Sequence, residues 1–218
     1  MELHMTPTFP DISISTERLV LRPYDADDIP AHTEMMNDEL VTAWTSAPHP
    51  YTASHAEQWV RRIAPAERAS GRGLVLAVTE FLTQRLVGTV HLRQVDWRTR
   101  SATVAYVTAP WARGEGYATE SLHGLARWLF EEQRFERLEL RTAADNTASQ
   151  QVAQKLGCIS EGVLRNAGIA RAQAPDGRWT ETRTDLIVWS LLPEDLEGST
   201  GPGRLSPSSH LPTGTDWR

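Results

Sequence analysis

The residues of this chain with the clearest chemical potential lie in one short stretch, which reads Arg113, Gly114, Glu115, Gly116, Tyr117, Ala118 and Thr119. Before it, the β-branched and aromatic run 103–108 predicts a strand that stops before Pro110, because proline lacks a backbone donor. After it, apolar residues recur at the spacing of one helical face. Two glycines at a strand-to-helix turn let an anion approach unpaired amides at the positive end of a helix dipole. The stretch therefore predicts a phosphate or pyrophosphate cradle.

Two common phosphate loops do not fit this stretch. A Walker loop needs lysine followed by serine or threonine after its last glycine, and the only lysine, Lys155, lies far downstream. A dinucleotide fingerprint would need glycine at Thr119. The pattern that is met, by Arg113, Gly116 and Ala118, resembles the pyrophosphate loop of the GCN5-related N-acetyltransferase (GNAT) superfamily. A tight turn without a ligand is the alternative for such a short motif.

The resemblance extends over residues 16–192 and favours the branch of the bacterial ribosomal-protein N-terminal acetyltransferases. Residues 16–22 resemble its opening strand, Tyr106 the tyrosine of its cofactor-adjacent strand, residues 145–157 its Asn-x-x-Ser helix and residues 185–192 its closing strand. The resemblance implies an α/β (α+β) fold with a mixed, largely antiparallel central sheet of about seven strands. It also implies a V-shaped splay in that sheet and about four flanking helices.

The resemblance to this family implies that an acyl-coenzyme A arm enters the gap between the strand ending near Val107 and the strand starting near Leu138. The backbone of Val107 and Thr108 is then expected to hydrogen-bond the pantetheine, and the amides of residues 114–119 the pyrophosphate, with Arg113 adding a cation. The resemblance makes Ser149 the general acid and Asn146 a residue that orients the cofactor. Both residues also suit a helix start, which is a compatible structural interpretation.

The general base is where this chain departs from its relatives. The position at which many members of the superfamily carry a carboxylate is Thr103, and the position of a glutamate in some ribosomal-protein enzymes is near Gly168. The other candidates for a base are Glu161, Asp185, His91 and His123. A water chain or an amine of low pKa can also make a base unnecessary.

Composition limits the other classes of function. A chain of 218 residues with 40% hydrophobic content predicts one domain, from 12 to 196, between an N-terminal extension (1–11) and a Gly/Ser/Pro/Thr-rich disordered tail (197–218). The net charge of -6 argues against nucleic acid as a partner. We expect no metal and no membrane segment, and the single Cys158 favours a reducing, cytoplasmic compartment.

The acceptor is less determined than the cofactor. Its pocket is expected between the first two helices, the loop around Trp44 and Tyr51, and a hairpin near residues 165–179. Three hairpin arginines are candidates for binding an acidic acceptor or a succinyl group, or for simple solvation: Arg165, Arg171 and Arg178. We expect an enzyme that transfers acetyl from acetyl-CoA to a primary amine of a small molecule or protein N-terminus, in a ternary complex. A succinyl-CoA-dependent transferase and a non-catalytic CoA-binding sensor are alternatives, and a homodimer is an expected assembly.

The pattern also predicts the order of elements. We expect a strand in 12–24, a helix in 25–37, a loop over 43–52 and a helix whose capping box is formed by Ser54 and Glu57. A meander of three strands follows in 74–81, 86–95 and 102–107. Later elements are a strand at 138–142, a helix at 147–156 with Thr147 and Gln150 as its capping box, and two strands, 158–164 and 185–192, flanking a turn at 174–178.

Overall fold

The computed structural model describes residues 7–198, and their central feature is a single eight-stranded sheet. Its strands follow one another in space in the order β1, β2, β3, β4, β5, β6, β8, β7. All neighbours are antiparallel except β5 and β6. The strands are β1 Ile14–Ser15, β2 Leu19–Arg22, β3 Leu74–Glu80, β4 Leu86–Asp96, β5 Ser101–Thr108, β6 Arg137–Ala143, β7 Ile159–Gln173 and β8 Trp179–Leu191. The mixed, largely antiparallel sheet is confirmed, with one strand more than expected.

The helices are short except the one that connects the parallel strands. This helix, α5, carries a stripe of buried leucines (Leu122, Leu125 and Leu129) that packs into the main core. Its length fits the crossover that a parallel connection requires. The helices are α1 Ile29–Met36, α2 Glu39–Trp44, α3 Ala53–Gln58, α4 Ala64–Ala69, α5 Tyr117–Glu131, α6 Thr147–Lys155 and α7 Pro193–Gly198, with a π-helical segment at Trp59–Ile63.

Three local expectations need correction. The loop expected over 43–52 begins only after Trp44, because residues 43 and 44 belong to α2. Asp38 caps this helix by accepting hydrogen bonds from the Leu40 and Val41 amides. The capping box of α3 is formed by Thr52 and His55. These two replace Ser54 and Glu57.

At α6 the cap lies one residue earlier than expected. The cap is Asn146 rather than Thr147, because the amide side chain accepts from the Ser149 backbone. Asparagine binds the third amide of a helix well, so it can replace the expected threonine.

The late hairpin is longer than its apolar runs predicted. Strands β7 and β8 pair over most of their length, around the expected turn at 174–178. Most of β7 is exposed, so hydrophobic patterning marked only its first part. Two register shifts interrupt the ladder, at 160–162 and 164–168.

The start of the described chain is part of the core. Phe9 lies in the segment assigned to an N-terminal extension, yet it is 4% exposed and its ring contacts those of Trp97, Trp128 and Phe135. The tail expected to be disordered lies outside the described residues, apart from 197 and 198 at the end of α7. Within residues 7–198, the helices fall short of the length and apolarity needed to cross a bilayer.

Replacing Phe9 by alanine is expected to lower the free energy of unfolding by about 3 kcal/mol, because a buried aromatic side chain leaves a cavity. The matched control is Phe81→Ala, since Phe81 is 53% exposed. For the control we expect a change within about 0.5 kcal/mol in urea titrations. Equal, small changes for both variants would show that the Phe9 segment does not pack on the domain.

His32 on α1 gives the fold a dependence on pH. It is 2% exposed, lies 3.1 Å from the Tyr24 hydroxyl and 3.3 Å from the Tyr51 hydroxyl, and burial lowers its pKa to about 4. The unfolded chain takes up this proton near pH 6.5, whereas the folded chain does not until about pH 4. The stability linked to His32 is therefore complete above pH 6.5 and is lost as the pH falls towards 4.

We expect the imidazole nitrogen shifts of His32 to report a neutral ring at pH 5, and the free energy of unfolding to fall between pH 7 and pH 5. His32→Gln should reduce that slope. An NMR titration of His32 with a midpoint near 6.5 would contradict the assignment.

Candidate active site

The sheet opens between its two parallel strands. Cα partners on β5 and β6 run only from Ser101 with Arg137 to Val104 with Leu140. Beyond this point β5 continues to Thr108 and pairs only with β4 on its other side. The edge of β5 from 105 to 108, which includes Val107, therefore faces a gap, and an extended chain can add there as a further strand does.

The glycine stretch lies at the end of β5, where α5 begins. Gly114 and Gly116 have φ values of 83° and 79°, in the left-handed region that favours glycine, and Gly116 is the cap before Tyr117. A side chain built at Gly114 meets no atom within 4 Å. The loop therefore has open space beside Gly114, close to the first amides of α5, and amides at a helix start can bind an anion.

Two arginines flank this loop, and only one of them was expected. The Arg113 guanidinium is paired with the carboxylate of Asp38, the residue that caps α2. Burial tends to raise the pKa of Asp38, but the bonds from Arg113 and the Val41 amide outweigh it and lower that pKa. Arg113 thus joins the loop to the first helical layer.

Arg18 is the second arginine. It pairs with Glu120 on α5 at 2.6 Å and lies 4.8 Å above the Tyr117 ring. One of its terminal nitrogens is 3.7 Å from where a Cβ on Gly116 would lie. No local sequence pattern indicates this contact, because Arg18 precedes Gly116 by 98 residues along the chain.

A hydrogen bond connects the two sides of the gap. The Tyr106 hydroxyl on β5 lies 3.0 Å from the Ser149 hydroxyl, in the first turn of α6. Asn146 holds this turn by accepting from the Ser149 amide at 3.0 Å. Burial raises the pKa of Tyr106, so its hydroxyl keeps its proton at neutral pH. The pair can therefore deliver a proton to an anion that forms in the gap.

His91 lies on the opposite face of the sheet. On β4 and β5, Val90 is opposite Tyr106 and His91 is opposite Ala105. Since successive residues of a strand point to opposite faces, Tyr106 and His91 do so too. His91 contacts Trp59 of the π-helical segment, with 5.6 Å between ring centroids. Ser149 and Trp59 thus lie on the two sides of the splayed sheet.

The rings of His91 and Trp59 leave two polar atoms unused. Among the described residues, His91 Nε2 and Trp59 Nε1 are buried without a hydrogen-bond partner. Burial, and then the charge of Arg93, lower the pKa of His91 to about 4, so the imidazole is neutral at pH 7. Unpaired polar atoms cost free energy when buried, so a ligand or water that binds both is favoured.

Among the described residues, each of the two candidate carboxylates bonds to a partner other than Ser149. Glu161 is held by Arg137 through two bonds of 2.7 and 2.6 Å, and this pairing together with the Ser190 hydroxyl lowers its pKa to about 2. Such a carboxylate is a weak proton acceptor. Asp185 accepts from the Asn166 amide at 2.7 Å, within the second register shift of β7, which indicates a structural contact.

The two positions without a carboxylate are filled for structural reasons. Thr103 donates to the Gln94 side chain at 3.0 Å. At Gly168 an added Cβ would lie 2.6 Å from a methyl carbon of Leu186, so a side chain there would require Leu186 to move. His123, the last candidate from the sequence, lies within α5, far along the chain from the residues around His91.

The expected walls of the acceptor pocket are partly brought together. Arg171 on β7 donates to the Ala47 carbonyl at 2.6 Å, and Trp179 contacts His49. The hairpin therefore meets the loop after α2. Trp97, by contrast, packs in the core with Phe9 and is not a pocket residue.

Comparison with known proteins gives the same fold. The "Uncharacterized N-acetyltransferase p20" of Bacillus licheniformis is 24% identical over 187 residues, which are 85% of this chain and 99% of that protein. The ribosomal-protein-S5-alanine acetyltransferase of Vibrio fischeri superposes with a TM-score of 0.69 at 18% identity, covering 85% of this chain and 99% of that one. RimJ of Mycobacterium smegmatis, solved with a CoA disulfide, gives 0.71 at 20% identity, with coverages of 85% and 90%.

The family comparison covers the site itself. The model of the acetyltransferase (GNAT) domain matches residues 18–159, which include the glycine loop, the gap in the sheet and Ser149. This range is well over half of the chain. The chain therefore belongs to the GNAT acetyltransferase family.

Proposed function

We propose that this protein is an acetyl-CoA-dependent N-acetyltransferase that acts on a primary amine by direct attack in a ternary complex. The observation that carries the proposal is the Tyr106–Ser149 hydrogen bond across the open part of the sheet, beside the glycine loop. A small-molecule amine and a protein N-terminus both fit the proposal. The second is supported by the ribosomal-protein acetyltransferases among the structural neighbours.

The cofactor would be held mainly by backbone groups. The edge of β5 at Val107 and Thr108, which has no neighbouring strand on the side of the gap, is proposed to hydrogen-bond an extended arm, and the amides of 114–119 are proposed to bind its pyrophosphate. Bound acetyl-CoA would supply the thioester. A backbone amide at the end of β5 suits its carbonyl oxygen, and such a donor lowers the barrier to acyl transfer.

Ser149, supported by Tyr106, is proposed as the group that donates a proton to the leaving sulfur. On the other face, neutral His91 is proposed to accept a hydrogen bond from the amine. Glu161 and Asp185 are less suited to this role, because the first is paired with Arg137 and the second with a backbone amide. The proposal is supported by the strand register, in which Tyr106 and His91 lie on adjacent strands and point to opposite faces of the sheet.

The alternatives can be separated by experiment. Calorimetry with acetyl-CoA tests the cofactor, and thiol release with acetyl-CoA and succinyl-CoA over a panel of amines and peptides tests turnover. Binding without turnover would favour a CoA-binding sensor, which the missing carboxylates at Thr103 and Gly168 support. The succinyl alternative has less support, since Arg171 and Arg178 are paired with Glu181 and Asp176.

We also propose that the protein is cytoplasmic and forms a homodimer. The one cysteine, Cys158, is buried, and burial raises its pKa to about 12, which suits a reduced thiol in the cytoplasm. A homodimer is supported by exposed apolar side chains on the edge strand β7, where Val163 is 56% and Ile169 is 43% exposed. Sedimentation equilibrium tests the assembly.

Gly116→Val is expected to lower the affinity for acetyl-CoA by at least about tenfold, because a β-branched residue does not fit the left-handed conformation and narrows the cradle. The matched control is Gly177→Val in the tip of the β7–β8 hairpin, where φ is 81°. The control carries similar backbone strain away from the loop. Calorimetry that shows equal affinity in the two variants would place the pyrophosphate elsewhere.

Ser149→Ala is expected to lower kcat by about 100-fold, the usual scale for losing a general acid, while the dissociation constant of acetyl-CoA changes by less than about threefold. Tyr106→Phe should have a smaller effect in the same direction, and the two effects should not add, because both side chains act through one hydrogen bond. The control is Ser160→Ala, at an exposed position of β7. A kcat equal to that of the control would remove Ser149 from the mechanism.

A further inference from the structure

Strand β4, which is the neighbour of β5 on the side away from the gap, carries an arginine that the proposed chemistry has not used. Arg93 lies on β4, opposite Thr103 on β5, at the edge of an irregularity in the β4–β5 ladder between 93 and 96. Gln94 has a φ of 50° there, and its side chain accepts from Thr103. Irregularities of this kind re-aim side chains and are frequent beside active sites. Arg93 therefore lies in the paired part of β4, where the strand pairing sets the direction of its side chain.

Arg93 shares a face of the sheet with His91 and with two charged residues of β6. Thr103 is opposite Arg93 on one side and beside Glu139 on the other, and Arg141 follows Glu139 by two residues. Residues two apart on a strand point to the same face. Two arginines thus lie on either side of β5, and the β5 side chains between them, Thr103 and Ala105, are small.

The charges on this face are not balanced within it. Arg137 pairs with Glu139 and Glu161, and Arg141 pairs with Glu139 at 2.7 Å. Within residues 7–198, Arg93 makes neither an ion pair nor a side-chain hydrogen bond. Arg137 and Arg141 therefore share Glu139 and Glu161, and the positive charge of Arg93 is left without a partner among the described residues.

Arg93 is open to solvent but not fully hydrated. Its side chain is exposed, yet desolvation by the surrounding protein, followed by the positive charge of Arg141, lowers its pKa. An anion can therefore reach this guanidinium from solution. An anion bound there would relieve the repulsion between Arg93 and Arg141.

We propose that Arg93, assisted by Arg141, binds a carboxylate carried by the amine acceptor, so that the substrate is an amine with an acidic group close to its nitrogen. The inference rests on the proposed N-acetyltransferase function. Arg93 is two residues from His91 on the same face, roughly 7 Å along the strand. This distance suits an amine at His91 and a carboxylate a few bonds away at Arg93.

The carboxylate at Arg93 would belong to the acceptor and not to the acyl group, because Arg93 and Ser149 lie on opposite faces of the sheet. Ser149 and the glycine loop approach from the side of Tyr106, whereas Arg93, His91 and Trp59 lie on the other side. Arg93 is also one strand away from the gap that the acyl arm would enter. The hairpin arginines Arg171 and Arg178 have carboxylate partners already, so Arg93 is better placed to bind an acidic substrate than they are.

The test compares amines that differ only in the acidic group: glycine with glycinamide, β-alanine with its amide, and peptides that begin with Asp or Glu with those that begin with Asn or Gln. We expect kcat/KM to favour the carboxylates, and Arg93→Gln to remove about tenfold or more of that preference through KM, the scale of a charged hydrogen bond. The ratio between wild type and variant cancels differences in amine pKa. Arg93→Lys should retain part of the preference, because it keeps the charge but not the planar fork.

The control variant is Arg98→Gln, in the turn between β4 and β5, where the arginine takes part only through its backbone amide. It should leave every ratio unchanged. Equal loss in Arg93→Gln for carboxylates and amides would overturn the proposal, and so would a preference that appears only with succinyl-CoA, since the carboxylate would then belong to the acyl group.

A binding measurement keeps the inference separate from the proposed function. Calorimetry with N-acetylglycine and N-acetylglycinamide, on protein saturated with CoA, reports recognition of the carboxylate without turnover. Tighter binding of the carboxylate that Arg93→Gln abolishes supports the site even if no amine on the panel is acetylated. Equal binding of the two compounds contradicts the site even if acetyl transfer is observed.

Discussion

The rest of the site depends on the place at which β5 and β6 stop pairing. Up to Val104 and Leu140 the two strands form an ordinary parallel ladder, and beyond it each follows a different neighbour. Backbone groups that a closed sheet would satisfy internally are then available to a ligand. Side chains of both faces of β5 then lie beside one opening, with Tyr106 on one face and Ala105 on the other.

Much of this architecture could be predicted from the sequence, because its signals are local. The glycine pair at a strand end, the β-branched run before it and the Asn-x-x-Ser helix start each have a short-range physical cause. The parts that were missed have causes distant in sequence. The Asp38 cap with its bond to Arg113 and the Arg18 contact at Gly116 join segments far apart in the chain, and no periodicity encodes them.

The candidate catalytic residues also differ in whether a local motif or only their residue type points to them. Ser149 could be selected because its motif is compact, and the structure brings it to Tyr106. Glu161 and Asp185 could be selected only by residue type, and their partners, Arg137 and the Asn166 amide, become visible only once β7 is placed beside β8. Arg93 cannot be selected from the sequence for a related reason. An arginine in a strand is common, and only the register of the paired strands shows which charges lie on the same face of the sheet.

The carboxylate of Asp38 has a consequence for how two substrates affect each other. It serves the amides of α2 and the guanidinium of Arg113 at once. Any phosphate oxygen that draws Arg113 away leaves that carboxylate to the helix alone, on the side where the acceptor would bind. If Arg113 binds a phosphate in this way, the affinity for one substrate would depend on occupancy by the other, and thermodynamic reciprocity would make the effect equal in both directions.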